Sequence, residues 1–110
     1  MAELTKEPCV ACRAGEPRVE GRALEELLAQ VPGWKVAQRE GIPRLEKAYE
    51  FEDFSQALAF TVQVGLLAER EDHHPAILTE WGRVTVAFWT HKIKGLHRND
   101  FIAAAKTDAI

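Results

Sequence analysis

The segment 54–71 constrains the fold more than any other part of the chain, because apolar residues recur in it at helical spacing from end to end. Asp53 precedes it as an N-cap residue, and Gln56 follows three positions later, as in a capping box. The apolar positions form two stripes, the first of Phe54, Ala57, Leu58, Thr61, Gly65 and Ala68, the second of Phe60, Val64 and Leu67.

Two stripes on one helix make an apolar band wider than a single sheet can cover. Either the band is buried deep in the core of its own chain, or part of it contacts another subunit. A chain of 110 residues builds only a small core, so the subunit interface is the favoured interpretation.

Segments of alternating polarity on either side of this helix predict two hairpins. Strands are predicted at 34–38, 44–51, 77–81 and 83–91, and further helices at 21–30 and from 98 to the end. Lys47 interrupts the apolar side of the second strand, and residues 40–43 connect the first two strands. The order α-β-β-α-β-β-α favours an α+β fold, with an antiparallel sheet and its helices packed on one face.

Composition narrows the function classes. The net charge is −3, the isoelectric point is about 5.8 and 46% of the residues are hydrophobic, as in a folded globular protein. No basic face is available for nucleic acid, and no apolar run approaches the roughly 20 residues of a membrane helix. The sequence predicts a soluble, cytoplasmic protein with an irregular arm at 1–20 and a single domain at 21–110.

The two cysteines, Cys9 and Cys12, form a single CxxC pattern in the arm. A structural zinc site needs four ligands, and no second cysteine pair exists to complete one. Two interpretations stay open. The arm is an ordered loop without chemistry, or the pair is a metal or disulfide staple, shared between subunits.

Three histidines are candidates for chemistry. Pro75 directs His74 out of the long helix, whereas Glu69 lies four residues before His73, where a carboxylate can orient that imidazole. His91 ends the last predicted strand. Acid–base catalysis, a zinc site and no function at all remain open from spacing alone. Acyl and phosphoryl transfer are disfavoured, since neither a nucleophile motif nor a glycine-rich phosphate loop is present.

A longer pattern connects these histidines. Residues 68–75 read Ala-Glu-Arg-Glu-Asp-His-His-Pro, and a hairpin, Thr90-His91, Gly95-Leu96 and Asp100 follow. The combination resembles the pterin-4a-carbinolamine dehydratases, also called 4a-hydroxytetrahydropterin dehydratases. The resemblance covers about residues 20–110, including Pro32-Gly33-Trp34 before the first strand, and leaves the arm outside.

The resemblance implies a four-stranded antiparallel sheet with helices on one side, in subunits that form homodimers or homotetramers. It also implies a hydro-lyase that removes water from 4a-hydroxytetrahydrobiopterin. The product is a quinonoid dihydropterin, and the reaction supports recycling of the tetrahydrobiopterin that an aromatic amino acid hydroxylase has used. Family members need no metal and no organic cofactor. Some relatives are instead protein-binding scaffolds, either dimerisation cofactors or assembly factors, which is the alternative function here.

On the family pattern, His73 and His91 are the expected acids, one on each face of C4a. His74 is expected mainly to hold the pterin, and Glu69 to accept the ring proton. Substrate contacts are expected from Asp72, Trp89 and Thr90 and from the backbone around them, with Asp100 supporting the site from behind.

One position departs from the family pattern. Where the family usually has Ser or Thr to cap the last helix, this chain has His97, which puts the cap in doubt. A small basic cluster surrounds it, composed of Lys92, Lys94, His97 and Arg98. A solvated loop is the favoured interpretation of that cluster, over a site for an anionic substrate or partner.

Overall fold

The chain folds into three α-helices and four strands in the predicted order, seen in a computed structural model that describes residues 3–110. The helices are α1 (Gly21–Gln30), α2 (Phe54–Glu71) and α3 (Arg98–Asp108). The strands are β1 (Lys35–Arg39), β2 (Ile42–Glu50), β3 (Ala76–Glu80) and β4 (Arg83–Phe88). Short 3-10 turns occupy Leu4–Lys6 and His91–Ile93. The first two residues of the predicted arm lie outside the described residues.

The four strands form one antiparallel sheet in the order β1-β2-β4-β3. The turn between β1 and β2 is shorter than the predicted connection, because only Glu40 and Gly41 form it and Ile42 already pairs with Arg39. Both turn residues have positive φ, at 54° and 78°, which matches the right-handed twist of the flanking strands.

The core lies between this sheet and the helices. Val84, Val86 and Phe88 alternate along β4 and are almost completely buried, as are Phe101 and Ile102 of α3. Period-two alternation therefore turns one side of β4 towards the helices. The α+β fold, with its four-stranded antiparallel sheet and helices on one face, is confirmed.

The lysine that interrupts the apolar side of β2 has a defined partner. The amine of Lys47 donates to Asp108 Oδ1 near the end of α3 at 2.8 Å, and the hydroxyl of Tyr49 donates to the same oxygen. The indole of Trp34 donates to the second oxygen at 3.0 Å. Burial, helped by the Asp108 carboxylate, raises the pKa of Tyr49, so the phenol stays a donor. One carboxylate thus fastens α3 to the sheet.

Helix α2 has the predicted bounds, and the Asp53 side chain accepts from the Gln56 N–H at 2.8 Å. Its inner face buries residues from both predicted stripes, namely Ala57, Val64, Leu67 and Ala68. A line of apolar side chains spaced four residues apart stays exposed, at 45% for Phe54, 47% for Leu58, 53% for Val62 and 64% for Leu66. Within residues 3–110, no helix is long and apolar enough to cross a membrane.

Gly82, in the turn between β3 and β4, packs closely against the backbone that follows β2. Its φ is +73°, and a Cβ there would lie 2.9 Å from the Phe51 carbonyl oxygen. Gly41 also has a positive φ, of +78°, but a Cβ added there would meet nothing within 4 Å. We expect Gly41→Ala to lower the free energy of unfolding by about 1 kcal/mol through backbone strain alone. Gly82→Ala should cost about 1–3 kcal/mol more because of the clash, as measured by urea unfolding. Equal losses of unfolding free energy in the two variants would contradict the close contact between Gly82 and Phe51.

Candidate active site

The way in which α2 ends directs the side chains of the two adjacent histidines apart. Asp72 caps the helix in the left-handed conformation, at φ 52° and ψ 41°, and its N–H bonds back to the carbonyls of Ala68 and Glu69. Aspartate is one of the few non-glycine residues that adopt this conformation readily. Because the backbone reverses at Asp72, the side chains of His73 and His74 leave in different directions.

His73 turns inward, to helix α3. Its Nε2 lies 2.6 Å from Oδ1 of Asp100, whose side chain is 0% exposed. Oδ2 of the same carboxylate accepts from the Thr90 hydroxyl and from the His97 N–H, each at 2.9 Å. Three hydrogen bonds therefore fix Asp100, and Asp100 fixes the His73 ring. Phe88 stacks beside that ring, with centroids 6.0 Å apart and planes 12° from parallel.

The predicted pairing of Glu69 with His73 is wrong. The Glu69 carboxylate instead lies 2.9 Å from Nε2 of His74, and both side chains are largely exposed. The reason is the left-handed Asp72, which ends the helical register in which Glu69 and His73 would share a face.

His91 follows β4 at the same end of the sheet as the two adjacent histidines, since Ala76, at the start of β3, pairs with Ala87 near the end of β4. The strand predicted over 83–91 ends at Phe88, because Thr90 pairs with Gly95 instead of with a neighbouring strand. The chain then turns through the short 3-10 helix His91–Ile93. This turn places the His91 side chain beside the end of α2.

One cavity of about 380 Å³ collects the histidines. Its walls include five predicted site residues, which are Asp72, His73, His74, Thr90 and His91. A cavity of this size suits a small ligand. The other walls come from residues that were not predicted for this site, which are Val10, Ala11, Cys12, Lys92 and Asn99. No local pattern places the three arm residues here, since the arm meets the site only through long-range folding.

Of the residues predicted to act directly on the substrate, two do not line this cavity. Glu69 reaches it only through His74, and Trp89 packs against the His91 ring with centroids 4.6 Å apart. The guanidinium of Arg44, on β2, lies 4.0 Å from the centroid of the Trp89 ring, a cation–π contact. Trp89 therefore supports His91 rather than facing the cavity.

Three of the backbone donors expected to bind a ligand are already used, those of Asp72, His73 and Thr90. The N–H of His73 bonds to the Ala68 carbonyl at 3.2 Å, and the N–H of Thr90 bonds to the Gly95 carbonyl at 2.9 Å. The N–H of Asp72 is likewise engaged in the helix cap. These three N–H groups are therefore not free to bind a ligand.

Comparison with known proteins shows the family of this chain. The family model described as pterin 4 alpha carbinolamine dehydratase matches residues 17–110. The chain belongs to this dehydratase family. Over 107 residues, 97% of this chain and 92% of the relative, it is 57% identical to the Gloeobacter violaceus protein named "Putative pterin-4-alpha-carbinolamine dehydratase 1".

Solved structures of the dehydratase family share the fold. A transcriptional coactivator/pterin dehydratase from Brucella melitensis superposes with a TM-score of 0.75 at 32% identity, covering 84% of this chain and 97% of that one. A pterin dehydratase-like protein described as a RuBisCO assembly factor in the alpha-carboxysome has a TM-score of 0.59 at 24% identity, covering 70% and 87%. The second likeness concerns the fold alone.

The departure at His97 does not weaken the helix cap of this dehydratase family member. His97 Nδ1 accepts from the Asn99 N–H at 3.0 Å, and the Asp100 side chain accepts from the His97 N–H. An imidazole nitrogen thus replaces the hydroxyl oxygen of Ser or Thr, and the capping box is complete.

A group of possible metal ligands lies beside the cavity. One ligand atom each from Cys12, Glu16 and His97 lie within 4.8 Å of one another, which makes this the single such group found among residues 3–110. The hydrogen bonds do not suit a metal. Because His97 Nδ1 accepts a backbone N–H, the ring proton of the neutral imidazole sits on Nε2, where it faces Glu16 at 3.2 Å.

Both cysteines are free thiols. Burial raises the pKa of Cys9 to about 11, with a further contribution from the Glu71 carboxylate, and burial also raises the pKa of Cys12. The thiolate is the form that binds metal and attacks disulfides. Both thiols are therefore protonated near neutral pH.

Proposed function

We propose that this chain dehydrates a 4a-hydroxytetrahydropterin, such as 4a-hydroxytetrahydrobiopterin, by histidine acid–base catalysis. The observation that carries the proposal is the convergence of His73, His74 and His91 on one cavity from two separate parts of the fold. Membership in the dehydratase family supports the same reaction.

The reaction needs one proton delivered and one removed. An imidazolium gives its proton to the 4a-hydroxyl group while the C4a–O bond breaks, and the oxygen leaves as water with the bonding electrons. N5 loses its proton, and its electrons form the double bond to C4a. Nothing is oxidised or reduced, so acid–base groups are sufficient. The product is the quinonoid dihydropterin, which tetrahydrobiopterin recycling would consume.

We assign the acid role to His73 and His91, one for each face of C4a. Asp100 holds His73 by Nε2, which leaves Nδ1 as the ring nitrogen directed at a ligand. His91 is held by the Trp89 ring packed against it. The exposed His74–Glu69 pair is the group we assign to hold the pterin and to take up the N5 proton, since its atoms lie 2.9 Å apart.

A stopped-flow assay tests the reaction. The 4a-carbinolamine is generated in the cuvette, and its decay is followed with and without the protein. Faster decay, in proportion to protein concentration, is the expected result. Decay at the spontaneous rate would contradict the dehydratase proposal and favour the scaffold alternative.

We also propose that the chain forms a homodimer or homotetramer through the exposed line of α2. Four apolar side chains, Phe54, Leu58, Val62 and Leu66, are each about half exposed on one side of this helix. A contiguous apolar face of this kind is typical of an interface.

Substitution on that line gives the corresponding prediction. We expect the Leu58→Glu, Leu66→Glu double variant to sediment as a smaller species than the wild-type protein, because it places charge in the apolar contact. Gln63→Glu adds charge at an exposed position off the line and should sediment like the wild type. A wild-type mass of 12.4 kDa in solution would contradict the oligomer.

A further inference from the structure

The arm before α1 forms a wall of the histidine cavity. Val10, Ala11 and Cys12 line it together with His73 and His91. The family match begins at residue 17, so this wall precedes the part of the chain that the family model describes. The arm is also firmly packed, since Leu4 is 3% exposed and belongs to the hydrophobic core.

Asn99 holds this wall in place. Its side-chain oxygen accepts from the Val10 N–H at 3.0 Å, and its side-chain nitrogen donates to the Val10 carbonyl at 2.6 Å. Asn99 is 2% exposed, so the pair of hydrogen bonds is shielded from water. Breaking it would leave a buried amide unsatisfied, which makes the position of Val10 costly to change.

The first turn of α3, which holds the arm through Asn99, also holds the His73 side of the cavity. His97, Arg98 and Asn99 each bind the arm, and the next residue, Asp100, binds His73. The three arm contacts are His97 to Glu16 at 3.2 Å, Arg98 to Glu7 at 2.9 and 2.6 Å, and Asn99 to Val10. Four consecutive residues therefore fix the distance between the arm and the His73 ring.

The chemistry of the reaction brings a ring substituent close to this wall. C4a is bonded to N5, and N5 is bonded to C6, the carbon that carries the side chain of a substituted pterin. A ligand whose C4a lies beside the histidines consequently has its C6 substituent in or at the same cavity. The arm offers the Val10 side chain, which is 60% exposed, and the Ala11 methyl group, whereas the opposite wall carries the acid–base groups.

We propose that Val10–Cys12 is a substrate-selecting wall, against which the C6 substituent of a reduced pterin packs, with Ala11 as the specificity residue. Asn99 is the positioning residue that sets the place of this wall. This inference rests on the proposed function for its choice of ligand.

The test compares two stable ligands by titration calorimetry. These are 7,8-dihydrobiopterin, which has a dihydroxypropyl group at C6, and 7,8-dihydropterin, which has hydrogen there. Ala11→Phe should raise the Kd of the substituted ligand by about tenfold more than that of the unsubstituted one, because the enlarged side chain occupies the space of the substituent. Ala14→Phe is the matched control, since Ala14 is an exposed arm residue that does not line the cavity, and both Kd values should stay as in the wild type.

Two further variants sharpen the test. Ala11→Gly removes the methyl contact without adding bulk and should reduce the preference for the substituted ligand. Asn99→Ala releases the wall, so the KM for the substituted carbinolamine should rise by a larger factor than kcat falls. A loss of kcat alone would mean that Asn99 acts only through Asp100 and would overturn its role at the wall.

The outcomes separate this inference from the proposed function. If Ala11→Phe changes the two Kd values equally, or changes neither, the selecting wall is wrong even if the protein is an active dehydratase. If the wild-type protein binds both ligands without accelerating dehydration, the proposed function fails while the ratio of Kd values still decides the wall. Binding of neither ligand by a wild-type protein that accelerates dehydration would overturn the selecting wall alone.

Discussion

Replacing His73 by alanine is expected to slow the dehydration of a 4a-hydroxytetrahydropterin by about 10²- to 10⁴-fold, the usual contribution of a positioned general acid. His73 is the histidine of the cavity whose ring is held by a fully buried carboxylate, at 2.6 Å. Its loss removes a proton donor in fixed orientation while leaving the other walls in place. Stopped-flow decay of the carbinolamine measures the rate, and circular dichroism confirms that the variant is folded.

Companion variants make this prediction sharper. His91→Ala should also reduce kcat, for the carbinolamine whose hydroxyl lies on the His91 face of C4a, and the double variant should be slow with the hydroxyl on either face, because each face then lacks its acid. His74 is assigned to hold the pterin, so His74→Ala should change KM more than kcat. Wild-type turnover by both His73→Ala and His91→Ala would reject the site.

Replacing Asp100 by alanine is expected to lower the free energy of unfolding by about 3–5 kcal/mol, as when one partner of a buried polar network is removed. Three donors lose their acceptor at once, which are the His73 ring, the Thr90 hydroxyl and the His97 N–H. The last of these belongs to the cap of α3, so the helix start should also loosen. Urea unfolding, followed by tryptophan fluorescence, measures the loss.

Asp100→Asn separates stability from catalysis. The amide has nearly the same shape and keeps one oxygen, which can still accept from Thr90 and the His97 N–H. Its nitrogen then faces His73 Nε2 as a donor, which forces the proton of the neutral ring onto Nδ1. We expect this variant to keep most of its stability and to lose most of its kcat. Wild-type kcat in Asp100→Asn would show that the orientation of His73 is not set by this carboxylate.

Local signals in the sequence predicted the elements well. The bounds of α2 were correct because Asp53 caps its start and Pro75 prevents its continuation, and both signals lie within a few residues of the helix ends. The strand predicted over 83–91 was too long because its true end depends on a contact that no local signal reveals. Its last residues alternate like a strand, but Thr90 finds its partner in Gly95, a pairing that alternation does not reveal.

The candidate site could be predicted only in part. The family resemblance identified the histidines and Asp100, which the fold brings together. It did not reveal that Glu69 binds His74, since that depends on a left-handed residue between them. The contribution of Val10–Cys12 had no signal at all, because the arm reaches the cavity through the buried amide of a residue about 90 positions away. The cytoplasmic location and the boundary at residue 20 stay predictions.

The reversed backbone at Asp72 limits how this protein can be altered. Its φ of 52° accepts glycine, asparagine or aspartate, whereas a β-branched residue such as valine would be strained there. Position 72 is thus closed to most substitutions, although its side chain is exposed. A residue that prefers a right-handed conformation at this position would oppose the turn on which the separate directions of the two imidazoles depend.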